Sequence, residues 1–278
     1  MPNKKLTPPV IIIGMHRSGT ALVTKMLEKS GVFMGWLCEG NNESIYFLRE
    51  NEKIFSIASA SWDNPSPVDS LLSNRLLSDQ VSNSLKKCIE SPLSFLYWGP
   101  LRWLRMNFGS ENLSPWGWKD PRNIFTLPLW LSIYPNAKVI HVVRNGIDVS
   151  SSLRRREQKR LKTKKNWRHF SASCLDLENG FSLWERYVAK GLEYEKNLQE
   201  RCLRICYEEF LSNPESILSN TLHFIGMRSE NIGTEQIGNL IEGINPTRKN
   251  AFRRDPELIK FYNMVKSTDY MKSLGYAA

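Results

Sequence analysis

The sequence predicts an α/β fold in which helices flank a central parallel β-sheet. Two apolar runs rich in β-branched residues, Val10–Ile13 and Val139–Val143, each continue through a glycine-containing turn into helix-compatible sequence. Strands that alternate with helices in this way are typical of parallel sheets. The chain has 278 residues, 41% hydrophobic and 24% charged, and is long enough to bury one substantial core. We therefore expect a single domain, 1–278, with a helical insertion at about 45–110.

The turn after the first strand is predicted to bind an anion. Gly14 and Gly19 let the backbone approach a ligand closely, and the following helix directs its first N–H groups toward it. The spacing matches a P-loop, but Gly19 is followed at once by Thr20 without the expected lysine, and the cation lies within the turn at Arg17. An ordinary strand-to-helix turn is the alternative. The candidate ligand contacts are the residues of this turn: Gly14, His16, Arg17, Ser18, Gly19, Thr20 and Ala21.

The segments between and after the motifs have mostly helical spacing. Apolar residues recur at helical intervals in 45–60 and 74–108, and residues 174–200 and 256–274 are predicted to form one helix each. Before the second motif, Pro121 disfavours a continuing strand, so Lys119 is expected at a strand end.

The second strand ends at a cation, Arg144, which is followed by a predicted helix that carries Asp148 and Ser152. Ligands of open α/β sheets collect at the carboxyl ends of the strands. Arg144 and the first turn are therefore expected to face the same crevice. A single serine on a helix surface is often not a ligand contact. The expectation of an anion site therefore rests on Arg144, Asp148 and Ser152 together.

The two motifs resemble those of sulfotransferases that use 3′-phosphoadenosine-5′-phosphosulfate (PAPS). Arg17-Ser18-Gly19-Thr20 matches the family's 5′-phosphosulfate loop, and Arg144 with Ser152 eight residues later matches the pair that binds the 3′-phosphate. The resemblance extends from about residue 9 to about 227. It implies the P-loop-NTPase-like sulfotransferase fold with helical insertions. It also implies PAPS as the donor, adenosine 3′,5′-bisphosphate (PAP) as the product, and no metal.

Further matches assign roles to single residues by resemblance. Lys119, in the segment Trp116–Arg122, matches the lysine that contacts the bridging and sulfuryl oxygens. Tyr207 matches the tyrosine beside the adenine. Arg248 and Lys249, followed by Asn250, form the nearest candidate for the basic loop that closes over the 3′-phosphate, since asparagine tolerates the left-handed conformation.

The general base departs from the most common pattern, because Pro121 stands where many family members have a histidine. Other branches use a glutamate after the first helix, and this chain offers Glu39 and Glu43 there. Glu39 is preferred because it follows Arg17 by 22 residues, which resembles the spacing in the branch that acts on tyrosyl hydroxyls; alternatively, either carboxylate is only solvated. Arg17 and Lys119 are expected to stabilise charge on the leaving oxygen. The glutamate is expected to accept the proton of the acceptor hydroxyl.

The chain is basic, with a formal net charge of +10, and its excess charge is concentrated in one segment. The range Arg154–Arg168 holds nine cationic residues against one acid, Glu157. Such a run is either a solvated surface or a feature beside the cofactor mouth that attracts a polyanionic cofactor or an acidic acceptor. A basic nucleic-acid-binding protein explains the run but neither phosphate motif. A P-loop kinase is disfavoured by the missing lysine.

Localisation and acceptor are less constrained by the sequence. Five cysteines without a C-x-x-C pair indicate a reduced, cytoplasmic protein, and the apolar run at 10–13 is too short for a signal peptide or a membrane span. The expected acceptor is a hydroxyl or amine of a small molecule or glycan. No motif identifies it, and none indicates the oligomeric state.

Overall fold

The structure of the protein, a computed structural model, describes residues 7–108, 115–227 and 245–277. Its centre is a four-stranded, entirely parallel sheet with the order β2-β1-β3-β4. The strands are β1 (Val10–Gly14), β2 (Gly117–Lys119), β3 (Lys138–Val143) and β4 (Cys202–Cys206). The prediction of an α/β fold with a central parallel sheet is therefore confirmed. The division of the chain into one domain with an insertion remains a prediction.

Helices connect the strands and cover the sheet. Those of the first half are α1 (Thr20–Lys29), α2 (Ile45–Ile57), α3 (Pro67–Ser73), α4 (Arg75–Glu90), α5 (Phe95–Trp98) and α6 (Pro100–Phe108). Those of the second half are α7 (Asn123–Ile133), α8 (Gly146–Thr163), α9 (Leu177–Leu198), α10 (Tyr207–Ser212), α11 (Pro214–Ile225), α12 (Pro256–Val265) and α13 (Asp269–Ser273). The predicted insertion at about 45–110 corresponds to α2 through α6, and its last two residues lie outside the described part of the chain.

The last two helices correct one expectation. Residues 256–274 were expected to form one helix, but α12 ends at Val265 and α13 begins at Asp269. Thr268 between them has an extended backbone, with φ −66° and ψ 154°, which interrupts the helical hydrogen-bond ladder.

The sheet separates two hydrophobic layers because successive side chains of a strand point to opposite faces. Ile11 and Ile13 of β1 pack into an aromatic-rich core, in which the ring of Phe47 stacks on that of Trp118 with 3.9 Å between centroids. Ile12 packs into the second core, formed largely with α1 and α11. Burial on both faces explains why the sequence of β1 is continuously apolar rather than alternating.

The register places the chemistry-bearing turns at one edge of the sheet. Ile12 pairs with Lys119, Gly14 pairs with Val142, and Val143 pairs with Cys206. The segments that follow these strands therefore meet at the carboxyl edge, where ligands of open α/β sheets bind.

All five cysteines are free thiols. Within residues 7–108, 115–227 and 245–277, no helix combines the length and the apolar character needed to cross a bilayer.

Candidate functional site

The turn between β1 and α1 has the geometry of an anion cradle. Gly19 has φ +102° and Arg17 has φ +72°, so both lie in the left-handed region. The hydroxyl of Ser18 donates to the carbonyl of Met15 at 2.6 Å and closes the turn. Because α1 begins at Thr20, the first N–H groups of the helix have no acceptor within the helix. A non-glycine residue held at positive φ costs roughly 1–2 kcal/mol, and such strain is concentrated at functional sites.

Tyr207 packs directly against this turn. It is the first residue of α10, immediately after β4, and a Cβ at Gly19 would overlap its ring. The guanidinium carbon of Arg144 lies 4.6 Å from the centroid of the same ring. The tyrosine predicted to lie beside an adenine therefore stands between the two predicted anion-binding motifs.

Hydrogen bonds join three segments that are far apart in sequence. Arg17 Nε donates to Ser152 Oγ at 2.9 Å, and Arg144 Nη1 donates to the carbonyl of Arg17 at 3.2 Å. Arg144 Nη2 donates to the carbonyl of Arg248 at 3.2 Å. The Nε atom of Arg144 is buried and has no hydrogen-bond partner in the described part of the chain.

Asp148 fastens the C-terminal loop to this cluster. Its carboxylate accepts the backbone N–H groups of Ala251 and Phe252 at 3.2 and 2.9 Å and lies 3.4 Å from Arg144 Nη2. Burial raises the pKa of Asp148, and the nearby Arg144 charge and these N–H groups partly offset that effect. Within the predicted set of Arg144, Asp148 and Ser152, Asp148 therefore positions the C-terminal loop.

In the C-terminal basic loop, Asn250 has φ +46°, which is the left-handed conformation expected of it. Arg248 lines the cavity of about 530 Å³ that is described below. Lys249 points away from this cavity and donates through Nζ to Ser212 Oγ at 2.6 Å. A contact between Lys249 and a ligand would require this hydrogen bond to break.

On the other side of the first turn, Lys119 forms a buried ion pair with Glu43. Lys119 Nζ donates to Glu43 Oε1 at 2.8 Å and to the carbonyl of Asn41 at 2.6 Å, and only 2% of Lys119 is exposed. Burial raises the pKa of Glu43, although the Lys119 charge opposes this shift. A carboxylate and an ammonium group are thus fixed side by side in the cavity wall.

The expectation that favoured Glu39 over Glu43 is not supported by this geometry. Glu39 is exposed, and its backbone N–H donates to the carbonyl of Glu43 at 2.8 Å across a tight chain reversal. Within this reversal Cys38 pairs with Ser44 in an antiparallel bridge. The reversal presents the side chain of Glu43, not that of Glu39, to Lys119.

The turn that follows Lys119 is fixed by a buried carboxylate. Asp120 accepts the backbone N–H and the Nε–H of Arg122 at 2.9 and 3.0 Å, and the side-chain amide of Asn51 at 2.9 Å. Asp120 is fully buried. Its contacts therefore position Lys119 rather than reach a ligand.

A cavity of about 530 Å³ connects these groups. Ten of the predicted site residues line it: His16, Arg17, Gly19, Thr20, Ala21, Glu43, Lys119, Arg144, Tyr207 and Arg248. Ser152 lines an adjoining cavity of about 480 Å³ that shares Arg17, Arg144 and Arg248 with the first. Gly14 and Ser18 shape the turn behind the wall, whereas Glu39 and Lys249 line neither cavity. Among the described residues, the lining of the larger cavity holds seven arginines and lysines but one carboxylate.

The structure adds three cations of the basic run to this wall and gives the surroundings of His16, a predicted ligand contact. His16 packs edge-on against Trp62 at 5.0 Å between centroids, and its buried Nε2 has no hydrogen-bond partner among the described residues. Burial, with the charges of Arg156 and other cations, lowers the pKa of His16 well below its usual value, so the imidazole is neutral. Arg156, Lys159 and Arg160 also line the cavity. Their helical spacing from Ser152 was the available signal.

In the parts of the chain that the structure describes, no group of three or more His, Cys, Asp or Glu side chains is arranged to hold a metal ion.

Comparison with known proteins agrees with this geometry. The model of a family described as the sulfotransferase family matches residues 8–231. Among solved structures, the chain is similar to the sulfotransferase domain from the Synechococcus PCC 7002 olefin synthase, with 16% identity, coverage of 96% of this chain and 98% of that chain, and a TM-score of 0.54. It is also similar to the sulfotransferase domain from the curacin biosynthetic pathway, with 16% identity, coverage of 95% and 99%, and a TM-score of 0.52. At such identities the likeness concerns the fold. No curated protein matches the sequence.

Proposed function

The chain belongs to the sulfotransferase family, and we propose that it transfers the sulfuryl group of PAPS to a hydroxyl or amine of a small-molecule or glycan acceptor. The observation that carries the proposal is the hydrogen bond from Arg17 of the first motif to Ser152 of the second, at 2.9 Å. It joins two predicted anion sites where two adjoining, strongly cationic cavities share Arg17.

The residues present suit the donor. The buried, unpartnered Nε of Arg144 and the first N–H groups of α1, which have no acceptor within the helix, are groups that an anionic ligand would satisfy. When bound, PAPS supplies an activated sulfuryl group and a phosphate leaving group. The residues that would hold it are those of the first turn, His16 to Ala21, together with Arg144, Ser152, Tyr207 and Arg248.

The chemistry left to the chain is charge stabilisation and proton transfer. Arg17 and Lys119 provide positive charge where negative charge develops on the leaving oxygen, and preorganised charge of this kind lowers the barrier most directly. Glu43 is the carboxylate in the wall and is proposed as the general base that accepts the acceptor's proton. Its raised pKa brings its proton affinity closer to that required near neutral pH.

The first test is ligand-induced stabilisation. A ligand that binds only the folded state stabilises it by about 2.7 kcal/mol at a hundredfold excess over its Kd. We expect PAP to raise the melting temperature and to do so more strongly than ATP with Mg²⁺. A shift with ATP and Mg²⁺ but none with millimolar PAP would contradict the proposal and favour a kinase. Steeply salt-dependent binding of random DNA without any nucleotide effect would favour a nucleic-acid-binding protein.

A variant locates the ligand within the cavity. If Arg144 binds the 3′-phosphate, Arg144→Gln should weaken PAP far more than adenosine 5′-monophosphate, because only PAP loses a charge-assisted partner. Lys162→Gln is the control for net charge, since Lys162 is exposed and lines neither cavity. Equal losses for both nucleotides would remove Arg144 from the 3′-phosphate site.

A further inference from the structure

One face of α8 continues the cationic wall beyond the residues proposed to hold the donor. Ser152, Arg156, Lys159 and Arg160 follow one another at intervals of four, three and one residues, which places them along the same side of the helix. Arg156 and Lys159 line both cavities, and Arg160 lines the larger one. The basic run is thus in part a cavity wall, not only a solvated surface.

Arg156 is held rigidly but is not satisfied. Its Nε donates to Glu157 Oε1 at 2.6 Å, and its guanidinium carbon lies 4.4 Å from the ring centroid of Trp62. Its Nη2 is buried and has no hydrogen-bond partner in the described part of the chain. A buried N–H group without an acceptor is costly. A ligand that brings an acceptor to Nη2 would remove that cost.

The counter-charge for this face is already shared. Glu157 is fully buried and accepts from Arg156 at 2.6 Å, from Arg160 Nη1 at 2.9 Å and from the backbone N–H of Ser171 at 3.1 Å. One carboxylate therefore balances two guanidinium groups, while Lys159 stands exposed beside them. The face keeps a positive surplus.

Arg156, Lys159 and Arg160 are not among the residues proposed to hold the donor, so their positive charge is open to a second anionic group. Trp62 contacts both Arg156 and His16, so the surplus lies next to the first turn. Arg160 shares the cavity with the Lys119–Glu43 pair, which an acceptor must reach.

We propose that Arg156, supported by Arg160 and Lys159, binds an anionic group of the acceptor, so that the enzyme sulfates hydroxyl compounds that carry a carboxylate or phosphate. This inference rests on the proposed function and names its substrate class. A guanidinium group is suited to the task because its planar fork matches carboxylate and phosphate geometry.

The test uses protein saturated with PAP, so that the donor's anion sites are filled. Two matched pairs of probes are titrated by calorimetry: 4-hydroxyphenylacetate with its methyl ester, and glucose 6-phosphate with glucose. The anionic member of at least one pair should bind about tenfold more tightly or better than its neutral partner, the scale of one charge-assisted hydrogen bond. Absence of any preference in both pairs would overturn the inference.

Variants then assign the binding to α8. Arg156→Gln should weaken the preferred anionic probe about tenfold while PAP affinity stays within about twofold, and Arg156→Lys should restore part of the loss. Lys162→Gln removes one charge from the same helix without touching either cavity and should change neither affinity. If Arg156→Gln does not fold, Lys159→Gln replaces it, because Lys159 is exposed and lines both cavities.

Two outcomes separate the inference from the function on which it rests. If Arg156→Gln weakens PAP as much as the probe, the side chain belongs to the donor site and the inference fails. If the wild-type protein does not bind PAP at all, the proposed function itself is contradicted. PAP binding without a preference for anionic probes contradicts the inference alone.

Discussion

At the residue scale, the proposed general base is a carboxylate held against a buried lysine. Glu43 accepts from Lys119 at 2.8 Å, and burial raises its pKa above the usual value of 4.5. Glu43→Gln should lower kcat by roughly 10²–10⁴, the usual contribution of a general base. As the pH is lowered, the wild-type rate should begin to fall while the pH is still above 4.5, because a base with a raised pKa becomes protonated at a higher pH than a free glutamate. This acid limb should be absent in the variant.

The matched control is Glu39→Gln, four residues away on the exposed side of the same chain reversal. It should retain near-normal kcat and KM. Because Glu43→Gln also leaves a buried lysine without its partner, its melting temperature and PAP affinity are measured in parallel. Normal turnover for Glu43→Gln together with a collapse for Glu39→Gln would reverse the assignment.

The turn between β1 and α1, at the scale of the element, depends on backbone conformations that side chains oppose. Gly19 has φ +102°, and a Cβ there would overlap the ring of Tyr207. Gly19→Ala should lower the free energy of unfolding by at least about 1–2 kcal/mol and should weaken PAP strongly, because the turn must open to relieve the overlap. Both effects are measured by urea unfolding and by calorimetry.

Gly40→Ala provides the comparison for this element. A Cβ at Gly40 would meet nothing within 4 Å, and its backbone lies outside the left-handed region. The variant should therefore be as stable as the wild type or slightly more stable. Equal tolerance of alanine at both glycines would show that the turn is not constrained as described.

Stability at the scale of the whole molecule includes a carboxylate that links three elements. Glu195 of α9 contacts His141 Nδ1 of β3 at 2.6 Å and accepts from Arg204 Nε of β4 at 2.9 Å. Burial alone would raise the pKa of Glu195, but these two partners lower it to about 2. Because the pKa of Glu195 is lower in the folded than in the unfolded protein, its ionised form stabilises the fold at pH values above 4.5. This contribution is lost as the pH falls from 4.5 toward about 2.

Glu195→Gln should therefore lower the free energy of unfolding at pH 7 by about 1 kcal/mol, a modest value because solvent screens the partly exposed pair with Arg204. The difference from the wild type should shrink as the pH is lowered from 5 to 3. Urea unfolding across this range measures it. Glu193→Gln, at an exposed site on the same helix, should show little effect. A loss that is independent of pH would contradict the linkage.

The amino-acid sequence by itself determined the two strand–turn–helix units and the parallel sheet that holds them. β-branched runs, glycine positions and helical spacing act over a few residues, so they are readable locally. The meeting of Arg17 and Arg144 followed from the same information, because parallel strands bring their carboxyl ends to one edge, whereas Tyr207 was assigned only by the family resemblance.

Only the tertiary structure decided which side chains complete the lining of the larger cavity. Glu43 and Lys119 are 76 residues apart, and the choice between Glu43 and Glu39 depends on which side of a chain reversal faces a distant strand. The basic run on α8 likewise became a cavity wall only through packing of Arg156 on Trp62 and its pairing with Glu157. Such contacts are set by the docking of whole elements, so spacing along the chain can indicate a shared helix face but not the distant side chains that pack against it.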